Sequence, residues 1–355
     1  MTARSLAIAF SSAEDDAHPG AYPYNGGMKL YNIWRSALVS TAALDYAAGI
    51  CGYGRAETSI LTAGDQWRNF EWLTYPGGIL PIDDFEARLT ASPPDALRLV
   101  TFWLPSKALI DLARRHNQPI YYYDHEIRWT IAHRTLLDQY LHDGLLAPER
   151  IAVHTTHTAA WYMAHYNFNP THIPQVIDTD LWSNWVTSQP ERDPPTLGYI
   201  VQDNQSLEYV GKILHHLNIN HPHLSPIRIM EIHGSESQVA AQMQQCHIYL
   251  SLHQGKHPLW GEGCPIPGME AMAAGCIVVA FDVIGNRAYL RHNYNGYLVS
   301  NGDWQAMADR IAAILTRGAF DIENDRLRGL DYLRRTHDPY YNTDLPIQFL
   351  KWLRL

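Results

Sequence analysis

Short apolar runs recur along the first 155 residues, separated by longer segments in which apolar residues return at helical spacing. A short apolar run is typical of a buried strand, and a longer periodic segment is typical of a helix. Strands and helices that alternate in this way form parallel sheets covered on both faces. The runs that predict strands here occupy residues 5–10, 97–103, 119–124 and 150–155.

A second series of the same kind follows a polar, proline-bearing stretch at residues 188–196, and we interpret the break near residues 180–196 as the interdomain connection. The whole chain has 355 residues, which exceeds the ~250 to 300 at which a single hydrophobic core usually stops growing. We therefore predict an α/β protein with two Rossmann-like, doubly wound domains facing a central cleft that holds the ligand. The predicted domains are 1–180 and 181–335, and a helical segment at 336–355 is expected to pack back toward the N-terminal domain. The strands predicted in the second domain lie at 196–201, 226–232, 247–253, 275–281 and 296–299.

Composition and charge narrow the class of partner. The chain has 27 Lys and Arg against 36 Asp and Glu, a net charge of −9, which argues against nucleic acid or an anionic membrane as the main partner. No apolar run approaches the ~18 residues that a membrane-spanning helix needs, so membrane contact is at most peripheral. Four scattered cysteines without a CxxC pair suggest neither disulfides nor a zinc site. With no signal peptide recognised, we expect a cytoplasmic protein.

The segment from Gly261 to Gly275 carries the most specific pattern, which we interpret as loop and helix before a strand. Pro267 suits the first turn of a helix and Gly275 the position just past its end, which places Glu270 inside the helix. Backbone amides around Gly263, Cys264 and Ile266 would form an anion cradle at the helix N-terminus. Glu262 could accept hydrogen bonds from sugar hydroxyls, and Glu270 could hold a ribose diol. On spacing alone, two solvated glutamates flanking a helix start explain the pattern equally well.

Two further sites follow predicted strands of the N-terminal domain. Gly26 and Gly27 would let backbone amides approach a phosphate or an acceptor closely, although a glycine pair is more often only a turn. His125 should emerge at the carboxyl end of its strand, where an imidazole could contact a donor sugar. From the residues alone, a structural role is the more frequent explanation for each.

The pair Glu262 and Glu270, with seven residues between them, resembles the paired-glutamate motif of the GT4 retaining glycosyltransferases of GT-B fold. The segments at 26–27, 124–126, 172–182 and 295–299 are similar to the same family. The resemblance implies an acceptor-side N-terminal domain and a donor-binding C-terminal domain. It implies transfer of a sugar from a UDP- or GDP-sugar to a saccharide or glycoconjugate acceptor, with retention of configuration and without metal or cofactor. The resemblance implies catalytic roles for Glu262 and His125. It implies that Glu270 binds the nucleotide of the donor.

The chain departs from the family at the diphosphate. Where the family carries an Arg and a Lys after the first strand of the donor domain, this chain has Gly198, Tyr199 and then uncharged or acidic residues up to 204. Lys256 and Arg287 are the nearest cations that could replace them. Pro265 stands where the family has a glycine, which removes one N–H from the cradle. We still place Gly198, Tyr199, Pro265 and these two cations on the donor side.

Nineteen histidines, with a concentration at 215–223, raise the possibility of a metal site. Their intervals do not place three ligands on one helical face, so we predict none. Two alternatives to sugar transfer remain open. One is a GT-B-fold nucleotide-sugar epimerase or a sugar phosphorylase. The other is a non-catalytic or partner-dependent nucleotide-sugar-binding protein, suggested by the missing Arg and Lys.

Overall fold

A computed structural model describes residues 4–10, 56–62, 78–81, 97–101, 104–105, 107–124, 134–188, 194–201, 204–224, 226–252 and 265–354. The chain divides into two compact units. The first consists of Met1–Val176 together with Thr343–Leu355, and the second of Ile177–Asn342. The second unit is thus inserted between two parts of the first.

The first unit is built on a seven-stranded sheet in which every pair of neighbours is parallel. Its order is β3-β2-β1-β4-β5-β6-β7, so the chain starts in the middle and winds outward in both directions. That reversal defines a doubly wound sheet. The strands are β1 (Arg4–Phe10), β2 (Ala56–Thr62), β3 (Gly78–Pro81), β4 (Leu97–Thr101), β5 (Ile120–Asp124), β6 (Ile151–Val153) and β7 (Thr171–His172).

Aromatic packing on β5 joins Thr343–Leu355 to the rest of the first unit. Tyr121 and Tyr123 are buried, and the indole of Trp352 meets them with ring centroids 5.4 and 6.1 Å away. Aromatic side chains contribute large apolar areas, so this contact fixes the last helix on the sheet. The described helices of this unit are α1 (Lys107–Arg115), α2 (Arg134–His142), α3 (Thr156–Tyr166) and α11 (Asp344–Leu353).

The second unit has a five-stranded parallel sheet in the order β12-β11-β10-β8-β9. Read in chain order it is a 2-1-3-4-5 arrangement, the second common form of the doubly wound sheet. Strands β10 and β11 are fully buried, as their unbroken apolar sequences predict. The strands are β8 (Thr196–Tyr199), β9 (Arg228–Glu231), β10 (Ile248–Ser251), β11 (Ile277–Phe281) and β12 (Tyr297–Val299).

Helices cover both faces of this second sheet. Alternate strand residues such as Tyr249 and Val278 pack with Met269 and Met272 on one face. Their neighbours Leu250 and Val279 pack on the other face, in one cluster with Val210 and Met307. The helices of the unit are α4 (Thr179–Trp182), α5 (Trp185–Ser188), α6 (Asn204–Asn220), α7 (Glu236–Gln244), α8 (Ile266–Ala273), α9 (Trp304–Leu315) and α10 (Ala319–Thr336). Helices α7 and α8 thus share one face, and α6 and α9 the other.

The passage between the units lies at 176/177, whereas the sequence predicts the domain boundary at 180/181 and the connection near residues 180–196. The difference has a packing reason. Trp182 and Trp185 are buried within the second unit, and Gln244 donates a hydrogen bond to the Trp182 carbonyl at 2.9 Å. Helices α4 and α5 therefore belong to the second unit. Residues 336–342, predicted as part of the last helical segment, belong to it as well.

The predicted α/β class is confirmed by two parallel, doubly wound sheets. In the parts of the chain that the structure covers, no helix combines the length and the apolarity required to cross a bilayer.

Candidate functional site

The strand order of the second unit identifies one edge of its sheet as a binding position. The order in which the chain adds strands to the sheet reverses between β8 and β10, which are adjacent and pair in parallel through Leu250 and Tyr199. In doubly wound sheets, ligands bind outside the carboxyl ends of the strands at such a switch point. Strand β8 ends at Tyr199 and β10 at Ser251. The next described element in the chain after β10 is helix α8, and the predicted donor-binding motif leads into this helix.

Helix α8 has the ends that the sequence predicts. It runs from Ile266 to Ala273, with Pro267 in its first turn. Gly275 lies just past its end with φ at +79°, a left-handed conformation that favours glycine. Both predicted end signals are therefore confirmed, and Glu270 lies in the helix interior.

A cluster of aromatic and cationic side chains fixes the C-terminal end of α8. Gly275 packs directly on the Trp185 ring, where an added Cβ would overlap the indole. The Trp185 indole N–H donates to the Ala273 carbonyl at 2.8 Å, and Arg326 Nε donates to the Gly275 carbonyl at 2.7 Å. The Arg326 guanidinium also lies 4.3 Å from the Trp185 ring centroid. A cation at a helix C-terminus is favourable, so these contacts hold the helix axis in place.

The N-terminal half of α8 contacts the loop that follows β11. Gly268 packs on the Tyr289 hydroxyl so closely that a Cβ would overlap it. Tyr289 donates to Asn286 Oδ1 at 2.8 Å, and Asn286 Nδ2 donates to the Phe281 carbonyl at 2.8 Å. Asn286 is fully buried and therefore connects the end of β11 to the helix. The sequence pattern alone does not predict this role for Asn286, although a glycine inside a helix is a signal of close packing.

Glu270 is the ionisable group that this framework buries. Its side chain is 7% exposed, and burial together with the negative charge of Glu236 raises its pKa to about 8. Among the residues that the structure describes, none donates a hydrogen bond to its carboxyl group. Burying a carboxyl group without donors is costly, and the cost falls when a ligand supplies them. The Glu270 carboxylate can therefore accept hydrogen bonds from hydroxyl groups of a bound molecule.

Prolines reduce the number of amide donors at the start of α8. Pro265 and Pro267 have no N–H, and the Gly268 N–H donates to the Pro265 carbonyl at 3.1 Å. Of residues 265–268, Ile266 is therefore the one whose backbone N–H has no acceptor among the residues that the structure describes. A helix N-terminus attracts anions through such amides, so Ile266 is placed to contribute one donor.

The remaining described candidates on the donor side already have partners. The Arg287 guanidinium binds the Asp282 carboxylate through two hydrogen bonds of 2.6 and 2.7 Å, and the pair is exposed. Gly198 packs on Cys246 and Ile232, where a Cβ would overlap both side chains. Tyr199 is buried; burial raises its pKa, and Glu231, which accepts a hydrogen bond from its hydroxyl, raises it further. Gly198 thus has a packing role in this structure.

Seven predicted site residues lie outside the described residues, and their roles stay predictions: Gly26, Gly27, His125, Lys256, Glu262, Gly263 and Cys264. The residue before His125 is described. Asp124 ends β5, is fully buried and accepts a hydrogen bond from the Tyr162 hydroxyl at 3.0 Å. Burial and this carboxylate raise the pKa of Tyr162 well above its usual value, so its hydroxyl stays protonated as the donor.

A cavity of about 450 Å³ opens in the first unit, at the beginning of β5 rather than its end. Gln118, Ile120 and Tyr121 line it together with Arg114 and Arg150. The amino edge of a parallel sheet is opposite to the edge at which doubly wound folds bind ligands. This cavity is therefore separate from the predicted chemistry.

Comparison with known proteins gives a family match for the part of the second unit that contains α8. Residues 229–328, which include β10, α8 and the loop with Asn286, match the family of glycosyl transferases group 1. Over these residues the chain is similar to group 1 glycosyl transferases. A curated relative, the phosphatidyl-myo-inositol mannosyltransferase of Mycobacterium leprae, is 41% identical over 76 residues. That match spans 21% of this chain and only 19% of the relative.

Solved structures extend the likeness from this segment to the whole chain. A glycosyltransferase from Rickettsia africae matches with a TM-score of 0.68 at 11% identity, over 100% of this chain and 98% of that one. The Anabaena protein HepE, solved in complex with UDP and glucose, matches with a TM-score of 0.62 at 14% identity, over 99% of each chain. At such identities the likeness establishes the fold. The predicted GT-B fold and the resemblance to glycosyltransferases are confirmed.

Proposed function

We propose that the protein is a retaining, metal-independent glycosyltransferase of the GT4 type. It would transfer a sugar from a UDP- or GDP-sugar to a saccharide or glycoconjugate acceptor. One observation carries the proposal: a carboxyl group, Glu270, is buried without described hydrogen-bond donors inside the segment that matches the group 1 family. The relatives support the substrate class, since one is a mannosyltransferase and another was solved with UDP and glucose.

The ribose of the donor would supply what Glu270 lacks. Its two adjacent hydroxyl groups are donors, and a carboxylate accepts both in a low-dielectric environment where such bonds are strong. Because the free carboxyl group has a pKa of about 8, binding two donors favours its ionised form and releases a proton near neutral pH. Glu270 would thereby anchor the nucleoside.

The sugar and the diphosphate would lie toward the N-terminal end of α8. There the Ile266 amide and the helix dipole favour the negative charge of the diphosphate, and Glu262 would bind sugar hydroxyls. In the retaining reaction, the leaving diphosphate accepts the acceptor's proton on the same face of the sugar while an oxocarbenium-like state forms. The protein would contribute positioning and electrostatic stabilisation, with His125 on the donor sugar.

A cation is still needed at the diphosphate, where the Arg and Lys of the family are missing. Arg287 would supply it by leaving Asp282 when the donor binds. The exchange costs little, because an exposed ion pair contributes only about 0 to 1 kcal/mol and a diphosphate offers the guanidinium stronger partners. Lys256 is the second candidate. We place the reaction in the cytoplasm, as expected for a chain whose four scattered cysteines include no CxxC pair.

A donor panel tests the proposal. UDP-, GDP- and ADP-sugars are incubated with the purified protein, and free nucleotide and thermal shift are measured for the wild type, Glu262→Ala and Glu270→Ala. Glu208→Ala is the matched control, since Glu208 is an exposed glutamate on α6, on the opposite face of the sheet. We expect one donor class to be bound and released by the wild type and the control, and lost in both test variants. Equal loss in the control, or a response that neither test variant changes, would reject the site.

A non-catalytic donor-binding protein is the second candidate, favoured by the Arg287–Asp282 pair and the missing cations. It predicts saturable donor binding that depends on Glu270, without nucleotide release in the presence of any acceptor. Arg287→Ala separates the two functions further. In the enzyme it should lower donor affinity and turnover, whereas in a binding protein that leaves the ion pair intact it should leave affinity unchanged.

A further inference from the structure

Three potential metal ligands meet on the second unit, on the sheet face opposite α8. His216 lies in the last turns of α6, His221 just after its end, and Asp309 in α9. The Nε2 atoms of His216 and His221 lie 2.8 and 3.6 Å from the same Asp309 oxygen, Oδ1. One ligand atom from each residue lies within 4.8 Å of the other two. All three side chains have access to solvent.

These distances are close to those of a filled site. Tetrahedral zinc with bonds of ~2.0 to 2.1 Å separates neighbouring ligand atoms by roughly 3.4 Å. The two nitrogen–oxygen distances, 2.8 and 3.6 Å, bracket that value, and the separation between the ligand atoms of the two histidines is within 4.8 Å, so small side-chain adjustments would bring the three ligands to one ion. We propose that His216, His221 and Asp309 bind a divalent transition-metal ion of the zinc type, with water in the fourth position. Imidazole ligands favour such ions over magnesium or calcium.

The surroundings of His216 already contain the partner that a metal-bound imidazole requires. The Asn220 side-chain amide lies 3.1 Å from His216 Nδ1. A metal on Nε2 places the proton on Nδ1, and a rotated Asn220 amide would accept it through its oxygen. The rings of His216 and Trp304 are also nearly perpendicular to each other, with centroids 6.0 Å apart, and this contact restricts rotation of the imidazole. One ligand is therefore oriented before the ion binds.

The third ligand explains why the sequence predicts no metal site. The histidines of 215–223 do not bring three ligands to one helical face, and the missing ligand comes from Asp309 on a different helix. An ion here would join the end of α6 to α9 as a structural clamp. It lies on the sheet face away from Glu270, so this proposal does not depend on the proposed function.

Zinc titration of tag-free, chelator-treated protein tests the clamp. Uptake is measured by competition with a chromogenic chelator, with the wild type beside His216→Ala, His221→Ala and Asp309→Asn. His215→Ala is the matched control, because His215 is an exposed histidine next to His216 on the same helix. We expect one zinc per chain with micromolar or tighter affinity. Losing a direct ligand should weaken binding at least as much as losing an outer partner does, about 10- to 100-fold.

Two further readouts keep the result decisive. Zinc at 100 times its dissociation constant should raise the unfolding temperature of the wild type by about 5 °C, and should not raise that of Asp309→Asn. Asn220→Asp should tighten binding, because a carboxylate is a stronger partner for the Nδ1 proton. The proposal is overturned if the wild type takes up no stoichiometric zinc, or if the three ligand variants bind it as well as His215→Ala does. Nucleotide release measured after zinc removal should be unchanged, which separates this test from the test of the donor site.

Discussion

Glu270 and Asp338 are both carboxyl groups buried in the second unit, and they differ in the donors around them. Asp338 is fully buried and accepts three hydrogen bonds, from the Thr179 amide at 2.8 Å, the Thr179 hydroxyl at 2.6 Å and the Tyr340 amide at 2.8 Å. Glu270 is nearly as buried and accepts none from the described residues. Burial raises the pKa of both groups, but the bonds to Thr179 and Tyr340 oppose that rise at Asp338.

The difference separates a structural acid from one available to a ligand. Asp338 uses its hydrogen-bonding capacity within the second unit, where it links the start of α4 to the residues that follow α10. The Ile177 amide donates to the His337 carbonyl beside it at 2.9 Å, and Arg334 pairs with Asp180 at 3.0 Å. Glu270 retains its capacity for a molecule from outside. Burial alone does not distinguish the two, whereas the inventory of donors does.

The largest expected effect is on donor affinity. Glu270→Ala removes two charge-assisted hydrogen bonds of about 1.5 to 3 kcal/mol each, so nucleotide affinity should fall by at least ~100-fold. Titration calorimetry with UDP and GDP measures it. Asp338→Asn is the comparison variant and should bind nucleotide within about twofold of the wild type. A similar loss in both variants would remove the distinction between the two acids.

The next largest effect is on the free energy of unfolding, and here we expect it in a variant of Asp338 rather than of Glu270. Asp338→Ala leaves the Thr179 amide and hydroxyl and the Tyr340 amide without their buried acceptor, which should cost about 3 kcal/mol. Urea unfolding followed by circular dichroism measures the change. Asp331→Ala serves as control, since this acid is exposed and pairs only with Arg335 at the surface of α10. An unchanged midpoint in Asp338→Ala would contradict the structural role.

The pH dependence of stability should reveal the ionisation of Glu270. Its folded pKa of about 8 lies above the ordinary value of 4.5, so the folded state holds a proton that the unfolded state releases between these values. Wild-type stability should therefore fall as pH rises across this window, by up to ~1.4 kcal/mol per unit from this group. Glu270→Gln should lose that component and gain relative to the wild type as pH rises from 5.5 to 7. Parallel urea curves for the two proteins at every pH would exclude a raised pKa.

The smallest effect is the pH dependence of donor binding. If the diol binds the carboxylate, wild-type affinity should rise with pH up to about 8, by at most about tenfold per unit, and then level off. Calorimetry in two buffers of different ionisation enthalpy would count the proton released. For Glu270→Gln the weak residual affinity should be independent of pH over this range. Affinity that falls with rising pH would mean that the protonated acid is the binding form.

The sequence predicts those parts of the fold in which local pattern and burial agree. Strands β10 and β11 are apolar and fully buried, and Pro267 and Gly275 mark the two ends of α8 correctly. Strands β2 and β3 were missed, because β2 mixes polar residues with apolar ones and β3 is short and ends in Pro81. The sequence pattern places helices α4 and α5 in the interdomain connection, because only the tertiary contacts of Trp182 and Trp185 show that they belong to the second unit.

The site was predictable to a similar degree. The glutamate motif identified Glu270 and its helix, but nothing in the sequence shows that its carboxyl group is nine-tenths buried or that its pKa is raised to about 8. Both properties depend on the residues around it in space. Asn286 and Asp309 were missed for the same reason, because each acts through contacts with elements distant in sequence.

The insertion of the second unit into the first has a consequence for synthesis on the ribosome. The second unit is one continuous segment, so all its parts are available once residue 342 has emerged. The first unit must wait longer, because the indole that covers Tyr121 and Tyr123 belongs to Trp352. Although the first unit is begun earlier, it is completed later. During that interval its tyrosine-rich surface is exposed in the nascent chain, where a chaperone that binds aromatic segments would find it.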